Sequence, residues 1–120
     1  ALILLSVFFY SDLPNSIKNR ILPDEIENHF TALNGKTVYY GLEGEDYLML
    51  ETKPKYISEF LDSLKMEPST RYSPFNQNVD WFPKTSEGFD YYQGEFDYDY
   101  SKSVLINKDS TIIYYYCMWM

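Results

Sequence analysis

Six carboxylates crowd positions 80 to 100: Asp80, Glu87, Asp90, Glu95, Asp97 and Asp99, with Lys84 as their counter-charge. Carboxylate oxygens are hard ligands of the kind calcium takes, but the fixed spacing and central glycine of an EF-hand loop are missing. Glu95, Asp97 and Asp99 recur every second residue, which places them on one face of a strand. Three readings stay open for that strip: a solvated face that discourages edge pairing, a docking strip for a basic protein, or a cation site. No metal and no cofactor is assigned to the chain.

The other reactive residue types are sparse. His29 is the one histidine and Cys117 the one cysteine. His29 lies beside an apolar stripe with no partner motif nearby, and reads as a boundary residue or, failing that, a base or ligand. Cys117 sits inside an apolar run, where a thiol packs as a small hydrophobe. It has no second cysteine to pair with. No phosphate-cradling glycine loop, paired-histidine metal motif or nucleophile elbow occurs. The chain is therefore not expected to be an enzyme.

A second candidate surface is aromatic. Glu67 to Gly88 carries Pro68, Pro74 and Pro83 and few periodic apolar residues, so it reads as a long connection holding Phe75, Val79, Trp81 and Phe82. Connections of that length in a compact domain are often functional. Trp81 and Phe82 join Glu95, Asp97 and Asp99 as candidates for protein binding. Closing one side of the core is the alternative role for these aromatics.

Composition narrows the partners. The net charge of -8 makes nucleic acid a poor partner, because phosphate binding needs clustered Lys and Arg. Anionic membrane surfaces are disfavoured for the same reason. A basic protein, a cation or a neutral ligand is compatible. At 120 residues and 45% hydrophobic, the chain can build one ordinary core.

The elements that must position these residues follow from periodicity. Ser103 to Met120 holds two apolar arms, Val104-Leu105-Ile106 and Ile112 to Met120, around the polar turn Asn107-Lys108-Asp109-Ser110. Ile113, Tyr115, Cys117 and Trp119 share one face of the second arm, and Ile112, Tyr114, Tyr116 and Met118 the other. Neither face is polar, so this strand belongs in the middle of a sheet. Lys36 to Tyr40, Asp46 to Lys53 and Phe89 to Tyr100 read as further strands. Pro54 to Lys65 reads as a helix with the stripe Tyr56, Ile57, Phe60, Leu61 and Leu64. A second main helix is expected over Pro23 to Leu33, from Ile26, Phe30 and Leu33 at i, i+4, i+7, with Asn34-Gly35 as its stop. Earlier, Ser11 or Asp12 can cap a helix that has Pro14 in its first turn and Ile17 and Ile21 on one side.

The expected fold is α+β: an antiparallel sheet of about four to six strands with two main helices packed on one face. Residues 13–120 are expected to form one domain. Residues 1–12 are an apolar lead-in, ALILLSVFFY and two polar residues, too short to span a bilayer as a helix. They read as the trailing end of an anchor or signal segment, or as a core element.

Leu13-Pro-Asn-Ser-Ile-Lys-Asn-Arg-Ile21, the helix Tyr56 to Leu61, Trp81 between prolines and the closing hairpin occur in a recognisable order. They resemble small uncharacterised bacterial proteins in which an LP-x-S-A-x-N-I type opening follows a signal or membrane anchor. Ile17 stands where those proteins usually have Ala. The resemblance spans Leu13 to Met120. It implies a bacterial, extracytoplasmic, membrane-anchored α+β domain of unknown activity, and it transfers no catalytic residue. Two functional classes lead: a non-enzymatic protein-binding or envelope-associated domain, and a small acidic inhibitor or immunity-type protein that blocks a basic toxin or nuclease.

Overall fold

A computed structural model of the chain describes residues 13–70, 79–94 and 101–119. Its frame is a six-stranded antiparallel sheet in the order β1-β2-β6-β5-β4-β3. The strands are β1 Thr31–Tyr40, β2 Glu43–Glu51, β3 Met66–Pro68, β4 Phe89–Gly94, β5 Ser101–Asn107 and β6 Ile112–Trp119. The α+β class and the central place of β6 are as the sequence predicts. β6 pairs with β2 on one side and β5 on the other.

Local chemistry makes the hairpins. In β1–β2 the turn is Gly41-Leu42, and Gly41 has φ +66°. Two-residue hairpin turns need that left-handed conformation to match strand twist, and glycine adopts it without a Cβ clash. In β5–β6 the Asn107 side chain organises the turn. Its Oδ1 accepts from the Thr111 and Ile112 amides at 2.8 and 2.9 Å, and its amide nitrogen donates to the Thr111 hydroxyl.

Both faces of β6 are covered. On the first face Ile113, Tyr115 and Cys117 pack with Leu48, Leu50, Val104 and Ile106, under Ile17, Ile26, Phe30, Phe60 and Leu64. On the second, Tyr116 and Tyr47 pack with Val79 and Phe82 from the long connection. Val79 and Phe82 of that connection thus close one side of the core. The connection also holds an element the sequence reading missed, the three-residue edge strand β3. Its Pro68 has no N–H to offer a further strand.

Two helices are described, α1 Pro14–Ile21 and α2 Ile57–Ser63. α2 continues a single 3-10 turn, Pro54–Tyr56, and buries Phe60 and Leu64 as its stripe predicts. α1 starts at Leu13, which caps without a side-chain bond, so the expected Ser11 or Asp12 cap is replaced. The helix expected over Pro23 to Leu33 does not form. A turn and a short 3-10 segment, Glu27–His29, take its first half, and β1 takes its end. The two helices also lie apart along the sheet and do not clearly pack as the one layer expected. α1 rests on β1 and β2, while α2 contacts β3 at the other end of the strand order. Ile17 of α1 and Phe60 of α2 still belong to one apolar cluster. Among the described residues no helix is long and apolar enough to cross a membrane.

Candidate functional site

Trp81 and Phe82 follow Val79 in a tight turn, with the Phe82 amide donating to the Val79 carbonyl at 3.1 Å. This turn sends the two rings different ways. Phe82 is buried against Tyr47, with ring centroids 5.1 Å apart and planes at 79°. Trp81 is half-buried and meets Phe82 edge to face at 6.0 Å. Phe82 also stands edge to face on Tyr114 at 5.8 Å, and Phe89 does the same from β4 at 5.7 Å.

These rings enclose an open cleft of about 420 Å³, lined by Asp80, Trp81, Phe82, Pro83, Lys84, Thr85, Phe89 and Tyr114. Trp81, Phe89 and Tyr114 are part-exposed, and Asp80 is exposed at the rim. The Lys84 ammonium donates to the Val79 carbonyl at 2.8 Å, which holds the turn in shape. Large aromatic rings that keep some exposure on a rigid base are the type of side chain that anchors protein interfaces. Of the candidates named from sequence, Trp81 and Phe82 come together here, with Phe82 as the floor. Glu95, Asp97 and Asp99 lie between β4 and β5, outside the described residues, as does the apolar segment Ala1 to Tyr10. Phe89 and Tyr114 were read only as strand residues. Alternation marks Tyr114 for the face opposite Ile113 and Tyr115, but gives Phe89 no face, and nothing in sequence ties either to Trp81.

A second site lies beside Thr111, just before the start of β6. The His29 Nδ1 is 2.6 Å from Glu59 Oε2, and the imidazole stacks on Tyr56 with centroids 4.0 Å apart and planes at 11°. Glu59 comes from α2, thirty positions away, which is why no partner motif shows near His29. A cleft of about 450 Å³ opens beside the ring, lined by Asn28, His29, Thr31, Glu51, Thr52, Lys53, Tyr56 and Thr111. The Thr52 hydroxyl spends its proton on the His29 carbonyl, and the Thr111 hydroxyl accepts from Asn107. These groups tie the turn before β1 to α2 and to the β5–β6 turn.

The first face carries a buried polar group. Asp46 accepts from Arg20 at 3.0 Å and from the Thr37 hydroxyl at 2.7 Å. Across the β2–β6 ladder, Asp46 stands opposite Cys117. Burial raises the Cys117 pKa, and the Asp46 charge adds to this, against lowering by a Tyr115 hydrogen bond and by Lys102. Burial, with Cys117 and Asp46 nearby, raises the Tyr115 phenol well above its ordinary value. A thiol held neutral is a poor nucleophile and a poor metal ligand. Among the described residues no cluster of three or more His, Cys, Asp or Glu side chains could hold a metal.

The fold and its clefts define an α+β domain with an open cleft lined in good part by aromatic rings. Comparison of the chain with protein families, with curated proteins and with solved structures returns no match.

Proposed function

We propose that this chain is a non-enzymatic protein-binding domain and that the Trp81 cleft is its contact surface. The observation that carries this reading is the convergence of Trp81, Phe89 and Tyr114 on one open cleft over the buried Phe82 floor. The three rings come from the long connection, β4 and β6, so a rigid sheet backs the surface. Rigid aromatic anchors lose little side-chain freedom on binding. An envelope-associated role, with residues 1–12 as the end of an anchor, is compatible with this surface.

The test compares the intact chain with Trp81→Ala. Partners captured from the source organism are identified, produced pure, and measured directly against both proteins. The reading requires Trp81→Ala to weaken binding at least about tenfold while costing well under half the stability that Phe82→Ala does, as expected of an interface anchor. Equal affinity of the two proteins for every purified partner overturns it.

A second reading rests on the net charge of -8: an acidic inhibitor or immunity-type protein that blocks a basic toxin or nuclease. There the acids act mainly on the association rate. Replacing Glu95, Asp97 and Asp99 by Gln and Asn would slow association and flatten its salt dependence. Unchanged rates in low and high salt would leave that strip as solvated surface.

A further inference from the structure

The cleft has a chemistry that selects among protein partners. Aromatic ring faces carry the negative lobe of a quadrupole, and they attract a cation that can shed its water. Trp81, Phe89 and Tyr114 put three aromatic rings in the lining, and Asp80 adds a carboxylate. The one cation in the lining, Lys84, is drawn down onto the Val79 carbonyl. At -8 the whole chain attracts basic surfaces.

We propose that the cleft takes an arginine side chain of a basic partner protein, its guanidinium lying against the aromatic wall and reaching Asp80. This deepens the protein-binding reading and rests on it. Arginine fits better than lysine for two reasons. A guanidinium is planar and weakly hydrated, so it stacks on aromatic rings at low desolvation cost. Its donors also form a fork that suits a carboxylate at the edge of the stack. Lysine offers a compact, strongly hydrated charge with neither property. Lys84 is the unfavourable part of this site, because its charge repels a second cation, and that gives the proposal a signature.

The experiment follows Trp81 fluorescence in a Trp119→Phe background, which leaves Trp81 as the single tryptophan. The probes are N-acetylarginine methylamide, its lysine counterpart and its citrulline counterpart, which keeps the shape of arginine without the charge. The proposal expects a saturable emission change with arginine, a weaker response with lysine and none with citrulline. Asp80→Asn should weaken the arginine midpoint by about twofold to fivefold, the size of an exposed ion pair. Lys84→Gln should tighten it by a similar factor, provided that variant melts as the parent does. Equal responses to arginine and citrulline, or the same midpoint in Asp80→Asn, would overturn the proposal. If arginine fails while partner binding still depends on Trp81, the arginine assignment falls and the protein-binding reading stands. If arginine binds with that signature while partner binding ignores Trp81, the cleft is a cation site and the protein-binding reading falls.

Discussion

Arg20 Nη2 lies 3.0 Å from Asp46 Oδ1, and the pair fixes helix α1 to strand β2. Asp46 is nearly fully buried and also holds the Thr37 hydroxyl of β1, so one carboxylate joins three elements. Removing its cation leaves a buried charge with one neutral donor. The guanidinium side is partly exposed, which tempers the loss. Arg20→Ala should therefore cost about 1–3 kcal/mol in urea unfolding, below the range for a fully buried pair. The double variant Arg20→Met, Asp46→Leu should recover part of that loss. A double variant less stable than Arg20→Ala would contradict this account.

Phe60 of α2 is fully buried, with its ring centroid 5.4 Å from that of Phe30 and 6.5 Å from that of Tyr115, the latter edge to face. Phe60→Ala should cost about 3–5 kcal/mol, the usual penalty for a large core cavity. A loss below about 1 kcal/mol would mean that α2 does not seal the first face.

Neighbours in sequence, Trp81 and Phe82, should separate in their effects. Phe82→Ala empties the floor of the second core and should cost about 3 kcal/mol or more of stability. Trp81→Ala removes a half-exposed wall and should cost well under half as much, with its main effect on partner binding. Thermal melts of the two variants make the comparison. Equal losses would place Trp81 in the core rather than at a surface.

The raised pKa values of Cys117 and Tyr115 set an alkaline limit. Each group is neutral when protonated, and each keeps its proton to higher pH folded than unfolded. Their contribution is thus whole below the unfolded thiol pKa, near pH 8.5, and is lost as pH rises through the folded values. Unfolding free energy should fall steadily above about pH 9. Cys117→Ser should not copy Cys117→Ala here, since a hydroxyl buried in that place needs a partner. At pH 8 the Cys117 thiol should react with iodoacetamide far more slowly in the folded protein than in urea. Similar rates in both states would show an open thiol.

How much of this was legible can be argued residue by residue. The turn at Asn107 and the alternation of Ile113, Tyr115 and Cys117 against Tyr114 and Tyr116 were readable because strand period and turn chemistry are local. Pro23 to Leu33 misled for a physical reason. Ile26 and Phe30 are both buried, as a helical stripe would have them, but they are packed from a turn and a 3-10 segment. Thr31 to Leu33 is drawn into the sheet, because ladder pairing with β2 outweighs helix propensity. Asn34-Gly35, read as a helix stop, borders a bulge inside β1, where the Asn34 side chain accepts from the Gly35 amide at 3.0 Å. The sites were less legible than the strands. Glu59 reaches His29, Arg20 reaches Asp46 and Tyr114 reaches Phe82 only through tertiary packing, and no spacing rule carries such pairs.

The strand order has a consequence for synthesis. β6 follows every other strand in the chain, yet it alone bridges β1–β2 to β5–β4–β3. While the chain is still being translated, a ribosome that has not yet delivered Ile112 to Trp119 holds two separate hairpin systems. Each shows an unpaired β2 or β5 edge to the cytosol or to a translocation channel. Those edges carry Leu48, Leu50, Val104 and Ile106, so the nascent chain is at its most sticky just before β6 emerges. Closing of the sheet thereby waits for β6, and chaperone dependence should peak in the interval before it emerges.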